Sequence, residues 1–213
     1  RIALEYLAKD YSGPIEALGA VGAGAGSVYE RNLTSDPFDA SALVRGAGAT
    51  LCRLNSSGAL RCDGDDSAGL VSDAPAGGYA QLALGPDVAC ALHPAGMAHC
   101  WGHTALSRLF DEPSDAFSEI AVGLRAACAI RRSDAGLSCW GDDDDAIVSA
   151  KPSAGQFIGL ALAERSACAI RSDGQLSCWG DDSTGAVSGA PAQTFTAAEG
   201  GDGFLCGVTS DGS

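Results

Sequence analysis

Cysteines recur in this chain at a fixed period, and this repeat constrains the fold more than any other feature of the sequence. Eight of the nine cysteines form four short-range pairs that return every 38 to 40 residues, namely Cys52/Cys62, Cys90/Cys100, Cys128/Cys139 and Cys168/Cys178. Cys206 stands where a fifth pair would begin. A period near 40 residues indicates an architecture in which one supersecondary unit stacks on the next.

Each repeat is predicted to contain a β-hairpin that carries its cysteine pair. In the fourth unit, the half-apolar runs 166–170 and 175–180 are separated by a turn that contains Asp173-Gly174. Asp-Gly in this position is a strong hairpin signal because Gly accepts a positive φ without strain. The turn would place Cys168 opposite Cys178, and directly opposed Cβ atoms lie roughly 4.5–5.5 Å apart, within reach of a disulfide. Pairing inside each repeat is therefore the predicted connectivity.

Prolines and aromatic residues keep the same period independently of the cysteines. An aromatic residue four or five positions after four of the five periodic prolines opens an alternating segment such as 117–122, which is typical of a half-buried strand. Three or four short strands per repeat, with no helices to cover them, predict an all-β fold in which sheets stack radially as a β-propeller. A linear β-solenoid is the alternative, although its coils are usually shorter than this period.

The domain organisation follows from the same register. We predict one propeller domain over 1–213 that is incomplete, with a degenerate, cysteine-free repeat at 1–37 and well-formed repeats at 38–213, the last of them truncated. Cys206 is expected to find its partner about ten residues beyond Ser213. We therefore expect the natural polypeptide to continue, or else another chain to complete the ring.

Charge excludes two classes of partner. The net charge is −14, and the sequence has no basic patch of the kind that nucleic-acid binders carry. The same deficit disfavours attraction to an anionic membrane surface, and no apolar run reaches the ~18–20 residues of a membrane span. We interpret the acidic surface mainly as a means of solubility, with a face for a basic partner as the alternative.

Cysteine pairs and glycosylation sequons both indicate an oxidising compartment. Short-range pairs at fixed spacing are typical of secreted proteins. Sequons occur at Asn32-Leu33-Thr34 and Asn55-Ser56-Ser57, and the second falls in a predicted hairpin turn. We predict an extracellular or cell-surface glycoprotein with Asn32 and Asn55 as acceptors.

The repeat resembles a known superfamily at the segment Ala-Cys-Ala-Ile-x-x-Asp-Gly-x-Leu-x-Cys-Trp-Gly-Asp-Asp of residues 167–182. It is similar to propellers built from regulator-of-chromosome-condensation repeats, and in particular to their secreted, cysteine-paired branch, which includes the ectodomains of Crinkly-type plant receptor kinases. The resemblance implies a seven-bladed ring that serves as a binding platform, but this chain holds too few periods for seven blades. The nucleotide-exchange role of the nuclear member is not carried over, because a disulfide-paired chain belongs to another compartment.

The candidate chemistry of the remaining residues is sparse. We interpret the disulfides as structural, and Trp101, Trp140 and Trp179, at 39-residue intervals, as packing between blades. The run Asp142, Asp143, Asp144, Asp145 is a candidate Ca²⁺ site. We favour the alternative that these side chains cap turns by accepting hydrogen bonds from backbone amides. His93, His99 and His103 are not expected to share a face as a metal site. No nucleophile elbow or phosphate loop is present, so we predict a protein that is not an enzyme and needs no cofactor.

These observations favour an extracellular protein-interaction or scaffold propeller. Its partner would dock on the face where loops such as 141–145 gather, and would be another protein. The alternatives are a structural subunit of an extracellular assembly (a wall, a sheath or a flagellar-hair filament), in which copies of the chain contact one another, and a carbohydrate-binding propeller with a glycan as its partner.

Overall fold

The computed structural model describes residues 43–47, 49–103, 109, 111–201 and 203–210. Within these residues the chain forms four three-stranded antiparallel sheets followed by a two-stranded one. We call them blades 1 to 5. The strands are β1 (Leu43–Ala47), β2 (Thr50–Leu54) and β3 (Leu60–Gly64) in blade 1, β4 (Gln81–Leu84), β5 (Val88–Leu92) and β6 (Ala98–Gly102) in blade 2, β7 (Phe117–Val122), β8 (Ala126–Arg131) and β9 (Leu137–Gly141) in blade 3, β10 (Phe157–Leu162), β11 (Ser166–Arg171) and β12 (Leu176–Gly180) in blade 4, and β13 (Phe195–Gly200) and β14 (Leu205–Thr209) in blade 5. The degenerate repeat predicted at 1–37 lies outside the described residues.

The second and third strands of blades 1 to 4 form the predicted hairpins. Their register places the two cysteines of each repeat directly opposite one another. Gly174 has the positive φ (83°) that its sequence position predicts, whereas the longer turn of blade 3 uses Ala135 (φ 56°). Pairing inside each repeat is therefore confirmed. The four disulfides, with Cα–Cα distances of 4.0–4.1 Å, are Cys52–Cys62, Cys90–Cys100, Cys128–Cys139 and Cys168–Cys178.

The two members of a disulfide are buried to different depths, which their shared spacing in the sequence does not predict. In blades 1 and 2 the second-strand cysteine is 0% exposed, whereas its partners Cys62 and Cys100 on the third strand are 8% and 6% exposed. The third strand is the edge of each sheet, so its outward amides remain free to bond outside the ladder. The Cys100 amide accordingly donates to a Glu112 carboxylate oxygen at 2.7 Å. Each disulfide thus ties an edge strand to the buried strand beside it.

The aromatic residue at the start of each later blade joins that blade to the one before it. The backbone amides of Tyr79, Phe117, Phe157 and Phe195 donate to carbonyl oxygens in the preceding hairpin turn, each at 2.8 Å. All four side chains are buried. The periodic aromatic thus fixes where one blade meets its neighbour.

The core lies between blades rather than within them. First strands contact one another in succession, β1 with β4, β4 with β7, β7 with β10 and β10 with β13, as radial stacking requires. Between blades 3 and 4, the disulfide Cys128–Cys139 and Ile147 pack against Phe157 and Trp179. Equivalent clusters join blades 1 and 2 and blades 2 and 3. Each cluster combines the disulfide of one blade with the Trp of the next.

The three periodic tryptophans occupy equivalent positions in these clusters. Each is about 5% exposed, and its indole Nε1–H donates to a carbonyl oxygen in the loop that follows the preceding blade. The pairs are Trp101 to Leu70 at 3.1 Å, Trp140 to Leu109 at 3.0 Å and Trp179 to Ile147 at 2.8 Å. A buried indole N–H needs such a partner, so each Trp determines both the packing and the register of two blades.

Candidate functional site: the acidic face

Two sets of loops meet at one edge of the blades. In an antiparallel hairpin, the second strand begins and the third strand ends at the same edge. Hydrogen bonds join the two loops there, from the Asp142 amide to the Arg125 carbonyl and from the Asp181 amide to the Arg165 carbonyl, both at 2.9 Å. We call this surface the acidic face, and define it as residues 49, 65–66, 85–87, 103, 123–125, 141–145, 163–165 and 180–182.

Charge is distributed very unevenly between the two edges of the blades. The acidic face carries ten carboxylates and two arginines: Asp65, Asp66, Asp87, Asp142, Asp143, Asp144, Asp145, Glu164, Asp181 and Asp182, with Arg125 and Arg165. The opposite edge, which we call the hairpin face, consists of the turns 55–58, 93–96, 131–136 and 171–174 and of the segments that lead into the first strands, 74–78, 113–116, 152–156 and 190–194. It carries three carboxylates and three arginines. Much of the negative charge is therefore presented on one side.

Three aspartates of the acidic face have the same structural role in three blades. Each accepts two backbone N–H bonds at 2.8–2.9 Å through one carboxylate oxygen: Asp66 from Val71 and Ser72, Asp143 from Val148 and Ser149, and Asp182 from Val187 and Ser188. These bonds, with the one from the serine amide as the largest cause, lower the pKa of each carboxyl below its ordinary value. The capped loops therefore keep their charge in mildly acidic solution.

Two arginines form ion pairs with different carboxylates of the four-Asp run at 142–145. Arg165 of blade 4 contacts Asp145 of blade 3 at 2.7 Å and Asp181 of its own blade at 3.7 Å, so it links the two blades. The hydrogen bond to Asp145 is the main cause of the raised pKa of Arg165. Arg125 lies 3.7 Å from Asp144, whose side chain is 78% exposed. Each arginine lies three residues before the first cysteine of its repeat, Arg125 before Cys128 and Arg165 before Cys168. This periodic spacing could have identified them from the sequence.

The four-Asp run does not converge on one point. Asp143 caps its loop, while Asp144 and Asp145 contact different arginines. Within the described part of the chain, no group of three or more His, Cys, Asp or Glu side chains could hold a metal ion. His93 packs on Tyr79 at the hairpin face, with ring centroids 4.5 Å apart, and His103 follows β6 at the acidic face, so the histidines do not gather either.

The Asn55 sequon lies in the turn between β2 and β3, on the hairpin face. Its Oδ1 atom accepts hydrogen bonds from the Ser57 amide at 3.0 Å, the Ser57 hydroxyl at 2.7 Å and the Ala59 amide at 2.8 Å. These bonds involve the carbonyl oxygen and not the Nδ2 atom to which a glycan is attached. Asn32 lies outside the described residues.

No helix in the described residues has the length and apolar character to cross a membrane.

Several solved structures match the arrangement of strands and blades in this chain. The ectodomain of the receptor kinase CR4 from Physcomitrella patens matches with a TM-score of 0.65 and 24% identity, over 79% of this chain and 49% of that one. The CRINKLY WD40 ectodomain of the Arabidopsis thaliana receptor kinase ACR4 matches with a TM-score of 0.62 and 23% identity, over 82% and 62%. This chain has a β-propeller fold. Yeast RCC1 (Prp20), solved bound to Kap60, also matches, with a TM-score of 0.60 and 17% identity over 77% and 53%.

These comparisons confirm the resemblance inferred from the repeat, at the level of the fold. The chain spans about half of the length of the CR4 ectodomain and about three fifths of that of the ACR4 ectodomain. No protein-family model matches the chain, and no curated protein matches it.

Proposed function

We propose that this propeller is an extracellular interaction module that binds a basic protein partner through its acidic face. The observation that carries the proposal is the capped-loop geometry, in which three blades hold an ionised Asp in the same position on one side. Rigid loops lose little conformational entropy on binding, so their charge is available for recognition. The four disulfides support the extracellular part of the proposal, because they persist in oxidising compartments.

The proposed partner surface is rich in Lys or Arg. Complementary charge raises association rates and fixes orientation more than it raises affinity. Arg125 and Arg165 are the two cationic side chains of the acidic face. They would repel a partner whose basic residues lie directly opposite them, and so favour a partner whose basic residues contact the carboxylates. We propose a binding role and not a catalytic one, with no cofactor.

A charge-reversal experiment tests the proposal. The variant Asp87→Lys/Asp144→Lys alters two exposed carboxylates of the acidic face, and the matched control Asp115→Lys/Asp173→Lys changes the net charge equally at exposed positions elsewhere. Binding to immobilised poly-L-lysine is measured between low and physiological salt. We expect the acidic-face variant to weaken binding roughly tenfold more than the control. Equal losses would show that bulk charge alone attracts the probe, and would reject the acidic face as the docking surface.

A structural subunit of an extracellular assembly is the second candidate. It is favoured by the composition of the chain, in which glycine occurs 29 times and lysine only at positions 9 and 151. Sedimentation velocity at micromolar concentration separates the two functions. An interaction module remains a single small species, whereas a filament subunit sediments as polymer.

A further inference from the structure

The two asparagines of this chain both stand in glycosylation sequons. Asn32 precedes Leu33-Thr34 and Asn55 precedes Ser56-Ser57, and the 213 residues contain no other asparagine. About one residue in seven is Ser or Thr, so two asparagines placed at random would rarely both meet the sequon rule. Aspartate, by contrast, occurs throughout the turns and loops. Asparagine is therefore confined to sequons in this chain.

The hairpin turns do not explain why residue 55 is an asparagine. Blade 4 has a turn of the same length, in which Asp173 Oδ1 accepts the Gln175 amide at 3.0 Å. In blade 1, Asn55 Oδ1 accepts the Ala59 amide at 2.8 Å. A carboxylate oxygen accepts such a bond as well as an amide oxygen does. An aspartate would therefore serve the turn of blade 1 equally well.

The amide nitrogen distinguishes Asn55 from an aspartate. The bonds from the Ser57 amide, the Ser57 hydroxyl and the Ala59 amide all end on Oδ1, and Nδ2 has no hydrogen-bond partner among the described residues. N-glycosylation replaces one hydrogen of Nδ2 and leaves Oδ1 as an acceptor. A glycan can therefore be attached without loss of any bond that holds the turn. Ser56 and Ser57 are exposed, so the attached sugar would extend into solvent.

The sequon and the acidic face lie at opposite edges of blade 1. The turn 55–58 follows β2, whose five residues span about 17 Å at about 3.4 Å each. The Gly58 carbonyl accepts the Tyr79 amide at 2.8 Å, so the turn lies against blade 2. The Tyr79 ring packs on His93, which begins the next turn, and Met97 at the end of that turn is 55% exposed. A glycan on Asn55 would project from the hairpin face beside blades 1 and 2.

We propose that Asn55 carries an N-linked glycan that projects from the hairpin face and leaves the acidic face as the surface for partners. The donor is an oligosaccharide linked to a lipid diphosphate. The bond between its anomeric carbon and the diphosphate oxygen breaks, a bond from that carbon to Nδ2 forms, and Nδ2 releases one proton. The four disulfides indicate passage through an oxidising compartment, where this modification takes place.

The glycan has a consequence for assembly. If copies of the chain stacked with the acidic face of one on the hairpin face of the next, the contact would be heterologous and would propagate as an open filament. A glycan on the hairpin face obstructs that contact. Occupancy of Asn55 does not depend on the proposed function, whereas the role of the acidic face as the free surface rests on it.

Peptide mapping of the secreted chain tests the occupancy. The full chain is secreted from a eukaryotic cell line, denatured, and treated with peptide-N-glycosidase F in H₂¹⁸O, which converts a glycosylated Asn to an ¹⁸O-labelled Asp. Trypsin cleavage after Arg53 and Arg61 isolates residues 54–61, a peptide that contains Asn55 and no cysteine. Asn32 falls in a different tryptic peptide, so the two sequons are measured separately.

We expect ¹⁸O at residue 55 in the wild type and in Ser57→Thr, which keeps the sequon, and none in Ser57→Ala. Ser57→Ala retains both backbone bonds to Asn55 Oδ1, and an unchanged Tm serves as its control for folding. An unlabelled Asn55 in the secreted wild type would overturn the proposal. Label in Ser57→Ala would also overturn it, because the modification would not depend on the sequon.

A binding comparison tests which face stays free. The wild type, made in cells that attach neutral oligomannose glycans, and the glycan-free Ser57→Ala carry the same charge. We expect both to bind immobilised poly-L-lysine equally at each salt concentration, because the glycan and the acidic face lie at opposite edges. Weaker binding by the glycosylated protein would overturn the assignment of faces. If Asn55 is occupied but charge reversal at Asp87 and Asp144 has no specific effect, the proposed function fails and the glycosylation site stands.

Discussion

Blades 4 and 5 carry the same repeat, but their second strands are buried very differently. In blade 4, β11 is buried over five of its six residues, whereas every residue of β14 is only partly buried. The first strands differ as well: the Glu119 carboxylate accepts the Leu160 amide at 2.8 Å, but at the next repeat Gly159 has no side chain with which to reach Ala198. The second strand of blade 4 is therefore buried because described blades pack on both of its sides, blade 3 and blade 5, whereas β14 has a described neighbour only on the side of blade 4.

The largest expected difference in stability between the two blades comes from removing one aromatic side chain from each, Trp179 from blade 4 and Phe204 from blade 5. Trp179→Ala removes a ring that is 5% exposed between two complete blades, and with it the bond to Ile147. We expect a loss of about 3–5 kcal/mol in the free energy of unfolding, from the cavity and the orphaned carbonyl. The control is Phe204→Ala in blade 5, where the ring is 55% exposed and the expected loss is below about 0.5 kcal/mol. Urea denaturation measures both, and similar losses would contradict the comparison.

The cysteines are expected to show the next largest difference. Cys128→Ala/Cys139→Ala opens a disulfide that closes a loop with a sequence separation of 11 residues. Such a loop is expected to contribute about 2–3 kcal/mol, mainly by restricting the unfolded chain. Cys206→Ala removes a partly exposed thiol and should change stability by less than about 0.5 kcal/mol. Thermal unfolding of both variants provides the measurement, and a large effect at Cys206 would show that blade 5 is packed in solution as the others are.

The loops that follow the third strands offer a smaller test. Ala146 has a φ of 57° where the equivalent loops have Gly69 (72°) and Gly185 (74°). A left-handed conformation costs an L-residue about 1–2 kcal/mol, so Ala146→Gly should stabilise the protein by about 1 kcal/mol, or about 2–4 °C in Tm. Gly185→Ala should shift Tm in the opposite direction. A lower Tm for Ala146→Gly would contradict this assignment of strain.

The smallest effect is expected in the pH dependence of the capped loops. The pKa of Asp143 is lowered in the folded state, chiefly by the backbone bond from Ser149. Its contribution to stability is therefore fully present above the ordinary Asp pKa of about 4 and is lost as the pH falls through the folded value. We expect the Tm of the wild type to fall more steeply below about pH 4 than that of Asp143→Asn, whose amide oxygen can still accept the same bonds. If the Tm of the wild type and that of Asp143→Asn fell with the same slope below about pH 4, the cap would contribute equally to stability in both protonation states of Asp143.

Much of the fold could be predicted because the relevant contacts are local in sequence. The two cysteines of each hairpin are separated by 10 or 11 residues, and the short turn between them fixes their register, as Asp173-Gly174 does in blade 4. The acidic loops could be located in the same way. Their grouping on one face could not, because it depends on the position of each blade beside its neighbour. The contact of Arg165 with Asp145 could not be predicted either, because it joins residues of different blades.

The sequence by itself determined the repeat, the hairpins, the disulfide pairs and the regular placement of aromatic residues, since each of these follows from short-range spacing and turn chemistry. Only the tertiary structure decided what the periodic residues contact. The indole of Trp179 reaches a carbonyl 32 residues earlier, and the carboxylates of Asp143, Asp144 and Asp145 are directed to a cap and to two different arginines. These choices depend on how sheets stack in space, and stacking brings together residues whose separation along the chain carries no local signal.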